Sequence, residues 1–234
     1  MSNKKIRISL LQIEGRETPI LNASLIKKSL IKAYKFNPDI VCLPECANIM
    51  TANKSHLFKH ATLQKDCPVL KECIQFAKKY NKYVSVGSLL LKRNNSSKLF
   101  NRSFFINHLG KILAYYDKIH LFDVDINRKE VHRESKSFHK GNKVTFVTSP
   151  WGKIGLTICY DIRFPNLYRN LVKQGVKIIL VPAAFTVPTG KDHWEILLRS
   201  RAIENTSFII ATGQCGKHHA RRATYGHSMI VNPW

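Results

Sequence analysis

Lys153-Ile-Gly-Leu-Thr-Ile-Cys159-Tyr-Asp-Ile-Arg-Phe-Pro165 reads as a buried strand with a thiol at its tip, where the backbone turns before a helix opens at Pro165. That position suits a nucleophile. A free thiol has a pKa near ~8.5 and is only a few per cent thiolate at neutral pH, so a reactive one needs a base or a cation beside it. Downstream the pattern continues as a helix over residues 165–174 stopped by Gly175, a strand over 176–181, a helix over 192–205, and strands over 207–213 and 225–231. Upstream, residues 144–148 form the hairpin partner of the cysteine strand across Pro150-Trp151-Gly152.

Further upstream the order is a strand over 5–13, a helix over 23–36, a buried strand over 39–45, a helix over 67–80 capped by Asp66, and a strand over 83–91. Residues 99–117 are two strands around Leu109-Gly110-Lys111, and residues 128–142 look like a long loop of the kind that carries function. There is no internal repeat and no low-complexity linker. With 234 residues, 44% of them hydrophobic, residues 1–234 are expected to form a single α/β domain. Its functional residues belong beyond the C-terminal ends of parallel strands, where Glu45 and Cys159 both lie.

The 38 Lys and Arg against 15 Asp and Glu give a net charge of +23, which raises the question of a polyanionic partner. The charge is spread evenly, +13 over residues 1–117 and +10 over 118–234, without a basic tail or block. A solvated basic surface is therefore preferred to a nucleic-acid-binding module. The six cysteines, Cys42, Cys46, Cys67, Cys73, Cys159 and Cys215, form neither a CxxC pair nor a zinc-type spacing with histidine, so no metal is expected. Cys42 and Cys73 read as buried thiols in a reducing compartment, which favours the cytoplasm. The apolar stretch from Ile8 contains Gln12 and stops at Glu14, too short for a signal sequence, and no run is long enough to span a membrane.

Glu45 follows Ile40-Val-Cys-Leu-Pro44, so a carboxylate ends an apolar strand where scarce water is expected to raise its pKa towards that of a general base; a helix N-cap acid is the alternative. Lys118, in Tyr115-Tyr-Asp-Lys118-Ile-His-Leu-Phe122, closes another strand and on its own reads as a surface lysine. Glu134, in His132-Arg-Glu134-Ser135, would by itself be solvated. Taken together they change the reading, because amide hydrolysis by a thiol needs a nucleophile, a base, a cation or N–H groups at the oxyanion, and a proton for the departing amine. Cys159, Glu45 and Lys118 can fill these roles without a histidine. Cys215, at a strand end, has no base in its sequence surroundings and reads as a structural thiol; a papain-like Cys-His-Asn arrangement lacks its local signature. Trp194, Leu197, Leu198 and Ile203 read as the core face of a helix.

Leu43-Pro44-Glu45, Tyr116-Asp-Lys118-Ile-His-Leu-Phe-Asp123 and Cys159-Tyr-Asp-Ile-Arg-Phe-Pro165, spaced by 73 and 41 residues from Glu to Lys to Cys, resemble the motifs of the carbon-nitrogen hydrolase (nitrilase) superfamily. The resemblance runs from the first strand to Trp234. It implies a four-layer α-β-β-α sandwich and an acyl-thioester mechanism without a metal or organic cofactor. Glu45 would take the Cys159 proton, Lys118 and the Tyr160 backbone N–H would hold the oxyanion, ammonia would leave, and Glu45 would then activate water. Glu134, 16 residues after the lysine, matches the superfamily's second glutamate and would position Lys118 or the substrate amide.

Ala183-Ala-Phe-Thr-Val-Pro-Thr-Gly190, the helix from His193 to Glu204, and Gln214-Cys-Gly-Lys-His-His219 followed by Tyr225-Gly-His-Ser-Met229 look like the deaminated-glutathione amidase branch. That branch implies a small-molecule amide substrate bearing carboxylates. Tyr160, Arg163 and His219 are the substrate-binding candidates, and a loop with His218, His219, Arg221 and Arg222 would suit the carboxylates. The resemblance also implies a homodimer, with neither a nucleic acid nor a membrane as partner. The sequence ends at Asn232-Pro233-Trp234, where superfamily members continue through a further β-hairpin; the expectation is a sandwich lacking those last strands, with an exposed sheet edge. The alternatives are an ω-amidase acting on α-keto-acid amides, a catalytically inactive protein that acts by binding, and the basic nucleic-acid module.

Overall fold

Thr18 ends the N-terminal extended segment by accepting the Leu21 N–H on Oγ1 at 3.4 Å, and Pro19 takes the first helical position, so α1 runs over Pro19–Tyr34. The cap and the proline, more than the apolar spacing, set this start, four residues ahead of the expected one. The computed structural model describes residues 5–127, 130–219 and 222–234; the side chains of Asn127, Glu130 and His219 lie outside that description.

The first sheet joins β1 (Ile8–Leu10), β2 (Ile40–Cys42) and β4 (Tyr83–Ser85) in parallel, continues antiparallel into β6 (Phe100–Ile106), and from there pairs with β7 (Ile112–Asp117) and β5 (Leu89–Lys92). β5 in turn pairs with the short β3 (Thr62–Leu63). Residues 83–91, expected as one strand, are two, because Gly87 turns with φ +73° and passes so close to the Leu43 and Pro44 carbonyls that no Cβ would fit. The break places Ser88 against the residues that precede and follow Glu45: Ser88 N–H donates to Pro44 O at 3.2 Å, and Ser88 O accepts the Ala47 N–H at 2.8 Å.

The second sheet has the order β10 (Thr145–Ser149), β11 (Gly152–Leu156), β12 (Val176–Ala183), β13 (Phe208–Gly213) and β16 (Met229–Val231). β11, β12 and β13 are parallel, and the two flanking pairs are antiparallel. Ile26 and Leu30 of α1 and Leu70 and Cys73 of α3 (Pro68–Tyr80) cover one face of the first sheet through Val41, Val84 and Phe104. The opposite face, through Ile40, Cys42, Phe105 and Tyr116, packs with Ile154, Leu156 and Leu180 of the second sheet. Leu171 of α4 (Pro165–Lys173) and Leu198 and Ala202 of α6 (Glu195–Asn205) complete that core, giving α-β-β-α in four layers.

Several local expectations are corrected. Asp66 does not cap α3; it lies in a 3-10 turn, and Cys67 precedes the helix with no side-chain cap. α2 (Lys54–His60), capped by Asn53, was not anticipated. The expected long loop contains β9 (Glu130–Arg133), paired with β8 (Asp123–Asn127), and a 3-10 turn over Glu134–Lys136. Residues 225–231 are not one strand: β14 (Cys215–His219) and β15 (Arg222–Tyr225) form a hairpin, and Gly226 and His227, both at positive φ, redirect the chain into β16. A three-residue helical turn, α5 (Val187–Thr189), and a π-helical turn over Gly190–Trp194 lead into α6. On α6, Trp194 and Leu198 are buried as expected but Ile203 is 54% exposed, with Arg201 and Ala202 on the inner face instead. β16 is the last strand of its sheet, with Ile230 half exposed. Among the described residues no helix is long and apolar enough to cross a membrane.

Candidate active site

The C-terminal ends of the parallel strands β2, β11 and β12 open onto one cavity of about 380 Å³, lined among others by Glu45, Lys118, Glu134, Cys159 and Ala184. Glu45 lies three residues past β2 and Cys159 three past β11, Ala184 follows β12, and Lys118 follows β7. Alternation along β7 puts Lys118 on the face of Tyr116, towards the second sheet. The expected surface lysine is only 2% exposed.

Lys118 Nζ donates to Glu45 Oε1 at 2.9 Å and lies 2.9 Å from Glu134 Oε2. Glu45 accepts further donors: Asn101 Nδ2 donates to Oε1 at 3.0 Å and the Ala184 backbone N–H to Oε2 at 2.9 Å, and the Cys159 thiol is close enough to feel the carboxylate's charge. Glu134 Oε2 accepts the Phe122 N–H at 2.6 Å. Gln214 fixes the Glu45 backbone by donating Nε2 to its carbonyl at 3.0 Å, and Gly15 N–H in turn donates to Gln214 Oε1 at 3.0 Å. The four residues singled out from the sequence therefore meet, with Glu45 at the centre.

Burial alone would push the Glu45 carboxyl up, as the sequence led us to expect. The Lys118 ammonium, with the hydrogen bonds from Cys159, Lys118 and Asn101, outweighs it and holds the carboxyl below its ordinary value. Lys118 is held well above the ordinary lysine range: burial disfavours its charge, but Glu134 and Glu45 overcome the penalty. Burial first, and the Glu45 charge second, push the Cys159 thiol well above its ordinary value, with Lys118 opposing. At neutral pH the site rests as a carboxylate, an ammonium and a neutral thiol beside the carboxylate.

Cys159 opens a 3-10 turn over Cys159–Arg163 with φ +49°, a left-handed conformation that a non-glycine residue adopts only where its surroundings hold it. Asp161, fully buried, supplies that hold. Its Oδ2 accepts the Tyr116 hydroxyl at 2.7 Å and the Ile158 N–H at 2.8 Å, and its Oδ1 accepts the His120 N–H at 3.0 Å and pairs with His120 Nδ1 at 2.7 Å. One carboxylate thus ties the residues on either side of Lys118 to the residue before Cys159. The Tyr160 backbone N–H, next after the left-handed residue, makes no hydrogen bond to a described residue.

Tyr160 and Arg163 line the cavity as expected, Tyr160 edge-on to Phe122 with ring centroids 5.0 Å apart. Arg163 Nη2 lies 3.0 Å from His193 Nδ1, and Arg222, which also lines the cavity, has Nη1 donating to Thr51 O at 2.9 Å. Neither guanidinium has a carboxylate partner among the described residues. His218 does not face the cavity: it is buried, with Nδ1 near Gly15 O at 3.2 Å and Nε2 at 2.6 Å from Thr224 Oγ1, so it ties the β14–β15 hairpin down. The side chain of His219, and Arg221 altogether, lie outside the described residues.

Asn101, Asp161, Gln214 and the Ala184 N–H were missed from the sequence. Asp161 stood inside the cysteine motif, where it could have been read, whereas Asn101 opens the polar stretch Asn101-Arg102-Ser103 of β6 and carried no local signal.

The sequence profile of the family described as "Carbon-nitrogen hydrolase" matches residues 7–234. A Yersinia enterocolitica protein named "Deaminated glutathione amidase" is 40% identical over 99% of this chain and 81% of its own length, and one of the same name from Dictyostelium discoideum is 39% identical over 100% and 82%. The crystal structure of the Caenorhabditis elegans NitFhit protein superposes with a TM-score of 0.92 at 35% identity, covering 100% of this chain and 57% of that one.

Proposed function

The chain belongs to the carbon-nitrogen hydrolase family, and from that membership we propose that it is an amidase that hydrolyses deaminated glutathione through a thioester on Cys159. Cys159 Sγ attacks the amide carbonyl while its proton passes to the Glu45 carboxylate, and the oxyanion is taken by Lys118 Nζ and the Tyr160 N–H. Collapse breaks the C–N bond, the amine leaves with the proton from Glu45, and Glu45 then takes a proton from the water that attacks the thioester. The acid product departs, and the thiol recovers its proton. Glu134 keeps Lys118 charged and in place. The observation that carries this reading is that Cys159 and a Glu45 carboxylate contacted by Lys118 Nζ at 2.9 Å line one cavity.

Substrate charge follows from what the cavity leaves unpaired. Glu45 and Glu134 are engaged with Lys118, whereas among the described residues Arg163 and Arg222 have no carboxylate, which suits a substrate bearing two carboxylates. Deaminated glutathione has that form, a keto-acid carboxylate and a glycine carboxylate. Its scissile bond releases cysteinylglycine; the ammonia anticipated from the sequence is the product of a primary amide such as α-ketoglutaramate, the substrate of the ω-amidase reading. The test incubates the protein with each compound and follows cysteinylglycine and ammonia separately, with Cys159→Ala as control. Faster cysteinylglycine release supports the proposal, and faster ammonia release gives the ω-amidase reading. Release that survives Cys159→Ala removes the nucleophile. Folded protein that releases neither favours the inactive reading. We further propose a homodimer, supported by Ile196 and Ile203, exposed on α6, and checked by light scattering of the purified protein, and a cytoplasmic location, supported by the buried free thiols of Cys42 and Cys73 and checked by cell fractionation.

A further inference from the structure

Asn101, on β6 and 1% exposed, touches three of the four residues at the centre of the cavity. Its backbone carbonyl accepts the Lys118 N–H at 3.0 Å, and its Nδ2 donates to Glu45 Oε1 at 3.0 Å and to Glu134 Oε1 at 3.3 Å. Its Oδ1 is buried and has no hydrogen-bond partner among the described residues. The two ends of this amide are not interchangeable: turned over, Oδ1 would face two carboxylate oxygens. A buried amide that leaves its acceptor unsatisfied to keep its donors on two acids is held there by those acids.

We propose that Asn101 is a positioning residue for the hydrolysis, its side-chain amide fixing Glu45 and Glu134 around Lys118 so that Glu45 faces the Cys159 thiol. This rests on the amidase reading and adds to it the means by which two buried carboxylates share one ammonium. Two anions around a single cation repel each other and tend to turn apart. A second lysine between them would oppose that but would weaken Glu45 as a base, whereas a neutral amide supplies donors without adding charge. Asn101 also holds the backbone of Lys118, so displacement of β6 moves all three groups together. Facing Glu45 are Lys118 from the end of β7, Glu134 from its 3-10 turn, Cys159 after β11 and Cys46 beside it.

The test uses Asn101→Asp, which keeps the shape and exchanges the donor for an acceptor, and Asn101→Ala, each checked for a cooperative melt. Two readouts are followed: kcat and KM on the amide, and the pH dependence of Cys159 alkylation by iodoacetamide. For Asn101→Ala we expect kcat lower by about 100-fold with KM changed by less than about threefold, since the residue orients the base and does not line the cavity. The acid limb of alkylation should move up by roughly one pH unit, because Glu45 loses a donor to its charged form, and further in Asn101→Asp, where a third carboxylate joins the cluster. If the alanine variant does not fold, the aspartate variant alone decides. Wild-type kcat, or an alkylation profile superimposable on that of the parent, in a folded variant overturns the proposal. If the parent turns over neither amide, the amidase reading fails, and the alkylation profiles still decide for or against Asn101: a shifted limb supports it, and coincident limbs refute it.

Discussion

Lys118→Met keeps the length of the side chain and deletes the ammonium, leaving Glu45 and Glu134 confronted in a site where their side chains are 5% and 13% exposed. Removing one partner of a buried ion pair costs about 3–5 kcal/mol, because the abandoned charge has no water to turn to. At pH 8, where both carboxylates are ionised in the unfolded chain, the variant should lose that amount. Acidification should then restore part of it. Without the cation, burial and mutual repulsion raise the carboxyl pKa of the folded protein above the unfolded value, so the folded state binds the extra proton and stability grows as pH falls, by at most ~1.4 kcal/mol per pH unit for one proton. The parent has the opposite sign: Glu45 is held below its ordinary value, so its contribution is fully present above the unfolded carboxylate pKa and is lost only as pH falls through the lowered one. With a urea m-value of roughly 2–3 kcal/mol/M, the variant's midpoint should lie about 1–2.5 M below the parent's at pH 8 and recover by up to about 0.7 M per pH unit towards pH 6. Equal midpoints at pH 8, or a variant that weakens in parallel with the parent on acidification, would refute the buried-triad reasoning.

Glu45→Gln should lower kcat/KM by about 100- to 10,000-fold and lower the melting temperature as well, because its amide NH2 must face either the Ala184 N–H or the Lys118 and Asn101 donors that the carboxylate accepts. In the parent, the acid limb of kcat/KM should lie below the ordinary glutamate pKa, as a pH–rate profile will show, because Glu45 must be ionised to act and its carboxyl is lowered. Arg163→Ala and Arg222→Ala should each lower kcat/KM on the dicarboxylate substrate by roughly 10- to 100-fold, the worth of a hydrogen bond to a charged group, and should lower it less on an analogue amidated at the matching end.

The positions of Cys159 and Glu45 were legible because an apolar run followed by a helix start, or by Leu-Pro, forces the next polar residue to a strand tip. Lys118 was legible only through the motif it shares with a family. By itself nothing local tells a lysine at a strand end from one at the surface, since its burial depends on Glu45, 73 residues away. Asn101 was missed for the same reason, its partners lying 56 and 33 residues distant. The rise expected for the Glu45 pKa weighed burial and left out the cation that burial brings with it. Local chemistry misled in smaller ways too. Ile203 was assigned to the core by hydrophobicity, but the inner position of α6 goes to Arg201, whose Nε donates to Ile162 O at 2.8 Å and whose Nη1 reaches Glu204. Residues 83–91 have the apolar content of one strand, yet the approach of Gly87 to Leu43 and Pro44 is a tertiary requirement.

Glu45 and Lys118 belong to the first sheet and Cys159 to the second, so the distance across which the proton moves is set by how the two sheets register. Two cross-links fix that register near the site: the Tyr116 hydroxyl on Asp161 at 2.7 Å, and the Ala184 N–H on Glu45 Oε2 at 2.9 Å. A third reaches Glu45 through Gln214, at the end of β13, and β13 is paired on both sides, by β12 and by β16. The strand behind the base is therefore an interior one among the described residues. The left-handed backbone of Cys159 fits this arrangement. A strained nucleophile turn persists only where its neighbours over-determine it, and here Asp161 holds Ile158, just before Cys159, while Arg201 holds Ile162, three residues after it. Loosening either sheet against the other should then cost reactivity before it costs the fold, because the thiol–carboxylate contact tolerates less displacement than the apolar core between the sheets.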